Sequence, residues 1–320
     1  MNEGLDDSQR KWLAETFGRD VRFDARLSRY TTFGVGGPAD ALVSPRDAEA
    51  VSGLLKWATR QDLPWLVVGK GSNLLVLDGG WRGLAISLVR GFSRIEVASE
   101  TAQRVFLRTG AGTPLAALCR YCVRKGFSGL TFATGIPGSV GGALFMNAGA
   151  HGGSMADVVR SMDVVAPWGE IKRVAATAAR WVYRNMDLPP DLAGGPDSGA
   201  VITSCELELG RSEPERLERK ARAFLELRKR KQPWRVKSAG CFFENPTGGA
   251  PAGALIDKAG LAGTSVGGAQ VSQVHANFIV NTGNATADDI LRLADEVRKT
   301  VVRKFGIELK PEVRVVGEKN

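Results

Sequence analysis

Glycine carries the first chemical signal in this chain: 39 of 320 residues, about 12% where a soluble protein usually holds about 7%. The glycines are clustered. The first cluster reads Val67-Val68-Gly69-Lys70-Gly71-Ser72-Asn73-Leu74-Leu75-Val76. Two apolar, strand-like runs flank a turn of Gly, Ser and Asn, and such a turn can aim several backbone N–H groups at one anion. A plain hairpin turn would use the same residues, and both readings stand at this point. A Rossmann loop does not, because no third glycine follows at the required spacing and Leu74-Leu75-Val76 continues as strand rather than helix. The second cluster, Gly110-Ala111-Gly112-Thr113-Pro114-Leu115, follows a strand and opens a helix capped by Thr113. Leu115 stands where a dinucleotide loop needs a small residue, so a capped helix start is the better account. The third and densest cluster runs from Thr134-Gly135-Ile136-Pro137-Gly138-Ser139-Val140-Gly141-Gly142 through Asn147-Ala148-Gly149-Ala150-His151 to Gly152-Gly153. Backbone so free of side chains packs directly against a flat or anionic group, and a bound cofactor explains this density better than buried turns.

Other reactive side chains are sparse. Four cysteines, at 119, 122, 205 and 241, are too few and too scattered for a disulfide framework. Cys119-Arg120-Tyr121-Cys122 lacks a second Cys/His pair to complete a zinc site. Taken alone, Cys241 reads as a small buried filler. His151 and His275 have no ligand partner at metal spacing, so no metal is expected. Forty-three basic against 34 acidic residues leave +9, which suits a polyanionic partner such as nucleic acid, acidic lipid or a phosphate-bearing metabolite. Only Arg228-Arg230, with Lys229 and Lys231, forms a dense basic run, and no basic stripe interleaved with aromatics accompanies it, so nucleic acid is not expected. A composition of 43% hydrophobic and 24% charged residues is that of a soluble globular chain. No run of 18 apolar residues exists to span a membrane. The start, Met1-Asn2-Glu3-Gly4-Leu5-Asp6-Asp7, has neither the basic nor the apolar region of a secretory signal, so a cytoplasmic location is expected.

The elements that must position these loops are announced by capping chemistry. Ser44-Pro45-Arg46-Asp47 predicts a helix start ahead of Val51, Leu54, Leu55 and Ala58, a one-face spacing. Ser212-Glu213-Pro214-Glu215 predicts a second, with Leu217, Ala221, Phe224 and Leu225 inward and Pro233 as its stop. Thr286-Ala287-Asp288-Asp289 predicts a third, carrying Ile290, Ala294, Val297 and Val301 inward to a C-terminal cap at Gly306. Strand-like runs are Trp65–Val68, Leu74–Val76, Leu84–Val89, Arg104–Arg108, Met162–Ala166 and Val201–Leu209. The Pro-, Gly- and Asp-rich segment Asp187–Gly199 reads as a surface loop. A chain of this length holds two or three domains, and the Ser212 helix reads as a connector to a second unit that begins near Pro233.

Taken with Tyr30-Thr31-Thr32-Phe33-Gly34-Val35-Gly36-Gly37 upstream, the first and third glycine clusters resemble the flavin-binding segments of the UDP-N-acetylenolpyruvoylglucosamine reductase family. Three further segments resemble that family in the same order along the chain: Tyr183-Arg184, Gly240-Cys241-Phe242-Phe243-Glu244-Asn245-Pro246, and Lys310-Pro311-Glu312-Val313-Arg314. Gly253-Ala254-Leu255-Ile256-Asp257-Lys258 and His275-Ala276-Asn277-Phe278 match as well. The resemblance extends from about Phe23 to Val316, and it is the ordered set, more than any one segment, that is specific. It implies an α+β chain with a vanillyl-alcohol-oxidase-type (PCMH-type) FAD-binding fold. The implied units are two FAD-binding subdomains at 1–88 and 89–211, a connector helix and smaller substrate-binding domain at 212–308, and a C-terminal strand at 309–320 that returns an active-site glutamate. No long insertion follows Asp187, so the shorter, second type of the family fits.

The implied activity is NADPH-dependent, FAD-mediated reduction of the enolpyruvyl group of UDP-N-acetyl-3-O-(1-carboxyvinyl)-glucosamine to UDP-N-acetylmuramate, in peptidoglycan precursor synthesis. By the same resemblance the catalytic residues are Arg184, Cys241 and Glu312, the cysteine standing at a proton-donor position that is serine in some members. The cofactor would be held by Thr32, Gly69, Gly71, Ser72, Asn73, Leu74, Thr134, Gly135, Ile136, Pro137, Gly138, Ser139, Gly141, Gly142, Asn147, Gly149, Ile202 and Arg314. Tyr183, Arg228, Lys231 and Asn245 would take the UDP-sugar, and no obligate protein partner is implied. Two departures stand out: Glu244 where members often carry lysine, and Trp234-Arg235-Val236-Lys237, more basic than the usual Pro-containing approach. A flavoprotein of the same fold acting on an alcohol would keep the glycine loops but gives no reason for the three downstream segments. A binding protein without chemistry is suggested only by the +9 charge.

Overall fold

Residues 4–192 and 199–319 are described in the computed structural model of this chain. Four strands form one sheet in the order Val21–Arg26, Pro38–Val43, Trp81–Ile86, Trp65–Val67. Its first pair is antiparallel and the remaining joins are parallel, and a parallel join needs a crossover. Helix Ala48–Arg60 supplies it, burying Val51, Leu54, Leu55 and Ala58. The helix is capped by Asp47, whose carboxylate accepts the Ala50 N–H at 2.8 Å. This corrects the expected cap at Ser44: Pro45 holds its neighbour extended and leaves the cap to the later acid.

A second sheet is antiparallel in the order Ile171–Ala175, Val159–Val165, Val201–Arg211, Arg104–Gly110, Ile95–Glu100. The long strand buries Val201, Thr203, Cys205, Leu207 and Leu209, the alternation a half-covered sheet requires. Helix Leu115–Arg124 lays Leu118, Cys119 and Cys122 into the core that both sheets share. Thr113 does not cap it. Pro114 holds the cap position, and the Thr113 hydroxyl pairs with that of Thr109 at 3.1 Å.

A second core gathers around the three-stranded sheet Ser265–Val266, Ala269–Val271, Ile279–Asn281 and the helices Ala252–Lys258 and Ala287–Phe305. The latter helix opens with the expected capping box between Thr286 and Asp289 and closes on Gly306 at φ 67°. Helix Pro214–Lys231 connects the two regions with Leu217 as its one fully buried side chain. Glu213, not Ser212, stands at its cap position and makes no side-chain cap; the Ser212 N–H is spent on Gly126 O.

Some elements differ from expectation. Helix Asp7–Phe17, with an Asp6/Gln9 capping box, was not foreseen, because it buries only Leu13 and shows little apolar stripe. The strand expected at Leu84–Val89 spans Trp81–Ile86, since pairing to Ala39 begins at Trp81. Part of the loop expected at Asp187–Gly199, residues 193–198, lies outside the described residues. Leu74–Val76 does not return as a hairpin on Trp65–Val67. It pairs in parallel with the C-terminal strand Arg314–Val316, while Trp65–Val67 stays in the first sheet. The hairpin reading of the first glycine cluster is therefore excluded, and the loop between these strands passes from one sheet to another.

Candidate active site

That crossing loop is built to leave backbone donors unused. Among the described residues, no N–H from Gly69 to Asn73 donates to a protein acceptor, although Gly71 is buried. A buried amide without a partner, as at Gly71, is costly, and with its unbonded neighbours it fits an anion. Gly71 sits at φ +57°, and a Cβ there would lie 2.2 Å from Tyr30 O; only glycine fits. The Thr32 N–H reaches Gly71 O at 3.2 Å. Ser72 Oγ donates to Pro137 O at 3.1 Å, and a Cβ on Gly69 would meet Ser139 Oγ at 2.4 Å. The first and third glycine clusters thus stand face to face. In the third, Ser139 caps the short helix Val140–Phe145, and Thr134 Oγ1 is buried with no hydrogen-bond partner. An unsatisfied hydroxyl on the loop that faces an unbonded amide run fits a bound group with polar edges and a pyrophosphate, as FAD has.

The far end of the third cluster holds a reactive arginine. Asn147, at φ 37°, donates from Nδ2 to Val182 O at 2.9 Å and accepts the Ala156 N–H at 3.1 Å. Its side chain therefore braces the hairpin Arg180–Val182/Asn185–Asp187. Tyr183 and Arg184 form the hairpin's two-residue turn, with Arg184 at φ 58°. The Arg184 guanidinium donates from Nη1 to Gly149 O at 2.9 Å, and its Nε lies 3.1 Å from Glu312 Oε1.

Glu312 arrives from the other end of the chain. Its N–H donates to Phe242 O at 2.8 Å, its C=O accepts Asn73 Nδ2 at 3.0 Å, and the Arg314 N–H donates to Asn73 O at 3.0 Å. Asn73 thereby ties the amide-rich loop to the strand bearing the carboxylate. Burial pushes the Glu312 carboxyl above its ordinary value; Arg184 opposes this and Glu244 adds to it. Burial, with the Glu312 charge next, pushes the Cys241 thiol up to about 11, against the pull of Arg184 and Arg228. Arg228 folds back from the connector helix: a Cβ on Gly135 would meet its Cδ at 3.0 Å, and burial lowers it from its usual value. Arg184, Arg228, Cys241 and Glu312 therefore share one electrostatic neighbourhood, although they come from four separate segments.

The other candidate residues divide. Asn245 Nδ2 reaches Tyr183 Oη at 3.5 Å, and its Oδ1 accepts the Ala252 N–H, so these two substrate candidates meet. Lys231 is exposed at the end of the connector helix. Arg314 lies 5.8 Å over the Phe145 ring. Ile202 is buried opposite Val164 in the second sheet, on the strand that packs against helix Val140–Phe145 of the third glycine cluster. Residue-by-residue reading missed Asn277, whose buried amide holds both polar groups of Phe243 at 2.9 and 2.8 Å, close to Cys241 in the chain. The cue was a polar residue between apolar ones in His275-Ala276-Asn277-Phe278.

Comparison with known proteins agrees with this geometry. A family profile described as "FAD binding domain" matches residues 39–175. A second, "UDP-N-acetylenolpyruvoylglucosamine reductase, C-terminal domain", matches residues 232–316. The UDP-N-acetylenolpyruvoylglucosamine reductase of Desulfosudis oleivorans is 44% identical over 98% of this chain and all of its own length. That of Heliobacterium modesticaldum is 44% identical over 91% of this chain and 89% of its own. The crystal structure of the Thermus caldophilus enzyme superimposes with a TM-score of 0.77 at 36% identity, covering 92% of this chain and 99% of that one. Fold and loops together define an FAD-binding flavoprotein of the vanillyl-alcohol-oxidase type. Within that class, the chain belongs to the UDP-N-acetylenolpyruvoylglucosamine reductase family.

Proposed function

We propose that this protein reduces the enolpyruvyl group of UDP-N-acetyl-3-O-(1-carboxyvinyl)-glucosamine to UDP-N-acetylmuramate, with FAD as cofactor and NADPH as hydride donor. One observation carries the reading: Arg184, Arg228, Cys241 and Glu312 converge beside a run of unused backbone donors. The flavin, when bound, supplies the hydride chemistry that side chains lack. The amides from Gly69 to Asn73 would hold its pyrophosphate, with Thr134 and Ser139 on the facing loop. Hydride addition at the substrate's methylene carbon places negative charge on the carboxylate-bearing fragment. Arg184, a forked and permanent cation, neutralises that charge. Glu312, its proton affinity raised by burial, donates a proton toward the carboxylate oxygen that takes up that charge. The thiol of Cys241, protonated at neutral pH because burial raises it to about 11, delivers the proton to C2. Arg228 and Lys231 take the diphosphate, and Tyr183 with Asn245 frames the sugar.

The units at 1–88, 89–211, 212–308 and 309–320 correspond in this reading to two cofactor-holding parts, a substrate-holding part and a strand that returns Glu312. Among the described residues no helix is long and apolar enough to cross a membrane, and a cytoplasmic location suits a nucleotide-sugar substrate with a soluble nicotinamide donor. The test is anaerobic. The purified flavoprotein is bleached with NADPH, then offered the UDP-sugar enolpyruvyl ether or simple alcohols and their oxidised products. Rapid return of the oxidised flavin spectrum with the enolpyruvyl ether alone is the expected result. Failure of that compound to reoxidise the protein would overturn the reading.

A further inference from the structure

Glu244 has no place in the chemistry described so far, yet the backbone aims it at the site. Phe243 and Pro311 form an antiparallel bridge, flanked by hydrogen bonds from the Glu244 N–H to Lys310 O and from the Glu312 N–H to Phe242 O, each 2.8 Å. Partners across such a bridge share a face and alternate residues return to it. Glu244, Lys310 and Glu312 therefore lie on one face, with Glu244 and Glu312 diagonal neighbours, a relation that sets Cα atoms about 7–8 Å apart. Glu244 is half-buried and has no ion-pair partner among the described residues.

We propose that Glu244 is a positioning residue for the acid of this site: its carboxylate, held diagonally across the bridge, offsets the pull of Arg184 so that Glu312 can donate to the substrate oxygen. The proposal rests on the reading of Glu312 given above. The charged and titratable groups acting on Glu312 are Arg184 from the hairpin turn and Cys241 and Glu244 from the bridged segment; Arg228 of the connector helix lies by Cys241 and Arg184, and Lys310 and Arg314 flank Glu312 on its own segment. Arg184 alone, at 3.1 Å, would stabilise the ionised form and remove the proton the reaction needs. A second carboxylate in a partly buried setting works against this. Glu312's proton affinity is accordingly raised by burial first, with Glu244 reinforcing it and Arg184 opposing.

The experiment follows reoxidation of the NADPH-reduced protein by the enolpyruvyl substrate in single turnovers from mildly acidic to alkaline pH. Wild type should show an alkaline fall as Glu312 ionises; Cys241, at about 11, titrates too high to supply it. In Glu244→Gln this limb should move down by about one pH unit, the size of a unit-charge interaction over such a distance in a partly screened site. Glu244→Lys should move it further, and Glu244→Asp should restore it. A merely structural role would lower FAD content or the whole profile without moving the limb, and that result overturns the proposal. Glu312→Gln is the control. If it erases the limb while Glu244→Gln leaves the limb in place, Glu244 is wrong and Glu312 stands. A limb that survives Glu312→Gln instead overturns the assignment of Glu312, and the role of Glu244 with it.

Discussion

At the scale of single residues, the two half-reactions separate the roles assigned here. Only reoxidation requires a carbon to be protonated, so Cys241→Ala should leave reduction by NADPH near wild type and slow substrate-dependent reoxidation by about 10²–10⁴-fold, the usual contribution of a positioned acid. Cys241→Ser should retain more activity than Cys241→Ala, because a hydroxyl keeps a transferable proton. Stopped-flow traces in which both variants reoxidise at the wild-type rate would return Cys241 to the small filler its type suggests. Glu312→Gln preserves shape and a hydrogen-bond donor but has no proton to give. Its kcat should fall by a similar order while KM moves little. If the carboxylate served only as an ion-pair partner for Arg184, the cost would be confined to about 1 kcal/mol of stability and turnover would hold. The burial that raises both groups is what makes the acid reading the stronger one, because it favours the protonated form of each.

At the scale of elements, the hairpin turn that presents Arg184 carries a cost that can be measured apart from its chemistry. Arg184 is a non-glycine residue at φ 58°, a conformation disfavoured by roughly 1–2 kcal/mol for a residue with a Cβ. Arg184→Gly and Arg184→Ala remove the same guanidinium, but only glycine relieves the backbone. Both should lose substrate-dependent reoxidation. The glycine variant should nevertheless melt higher than the alanine variant, by up to ~1 kcal/mol once its looser unfolded chain is counted, or about 2–4 °C. Equal melting temperatures would mean that the turn is not strained. No feature of the sequence marks this turn, since arginine is not a turn residue. Other elements were plainly legible. Thr286-Ala287-Asp288-Asp289 is a capping box in the structure as in the sequence, because cap chemistry is local and needs no partner elsewhere. The apolar faces of helices Ala48–Arg60 and Ala287–Phe305 were legible for the same reason. Strand ends were read less well, because a partner decides them: Trp81 is strand because Ala39 is opposite. The candidate site follows the same division. Its glycine loops announced an anion-binding backbone, but the meeting of Arg184, Arg228, Cys241 and Glu312 depends on contacts far apart in sequence. Only resemblance to a family, not spacing, brought those residues into view beforehand.

At the scale of the whole molecule, the second core is fastened to the flavin-loop region by a carboxylate placed far from the helix it serves. Asp78, just beyond the strand Leu74–Val76, accepts the N–H groups of Ala287 and Asp288 at 3.0 and 3.1 Å across 209 and 210 residues of chain. Thr286 Oγ1 accepts the Asp289 N–H, and the Asp289 carboxylate accepts the Thr286 N–H. All four donors exposed by the start of helix Ala287–Phe305 are thereby satisfied, half of them by Asp78. An acid at a helix N-terminus also opposes the helix dipole favourably. The same helix buries Ile290, Leu293, Val297 and Val301 in a core that includes Leu75 from the flavin-loop side. Losing the remote cap should therefore loosen the join between the regions as well as the helix. Asp78→Ala should cost about 1–2 kcal/mol, the range for a lost cap that leaves buried amides unpaired. Asp78→Asn keeps acceptor oxygen without charge and should recover most of that loss. The decisive measurement compares two melts of the FAD-loaded protein, one by far-ultraviolet circular dichroism and one by the fluorescence of released flavin. In wild type the two should coincide, since Asn73 and the strand Arg314–Val316 couple the cofactor loop to the C-terminal segment. In Asp78→Ala the loss of helix should begin first, by about 2–4 °C per kcal/mol lost. Two curves that shift together by the same amount would instead show that Asp78 stabilises a single cooperative unit, and that the join between the cores is held by their packing alone.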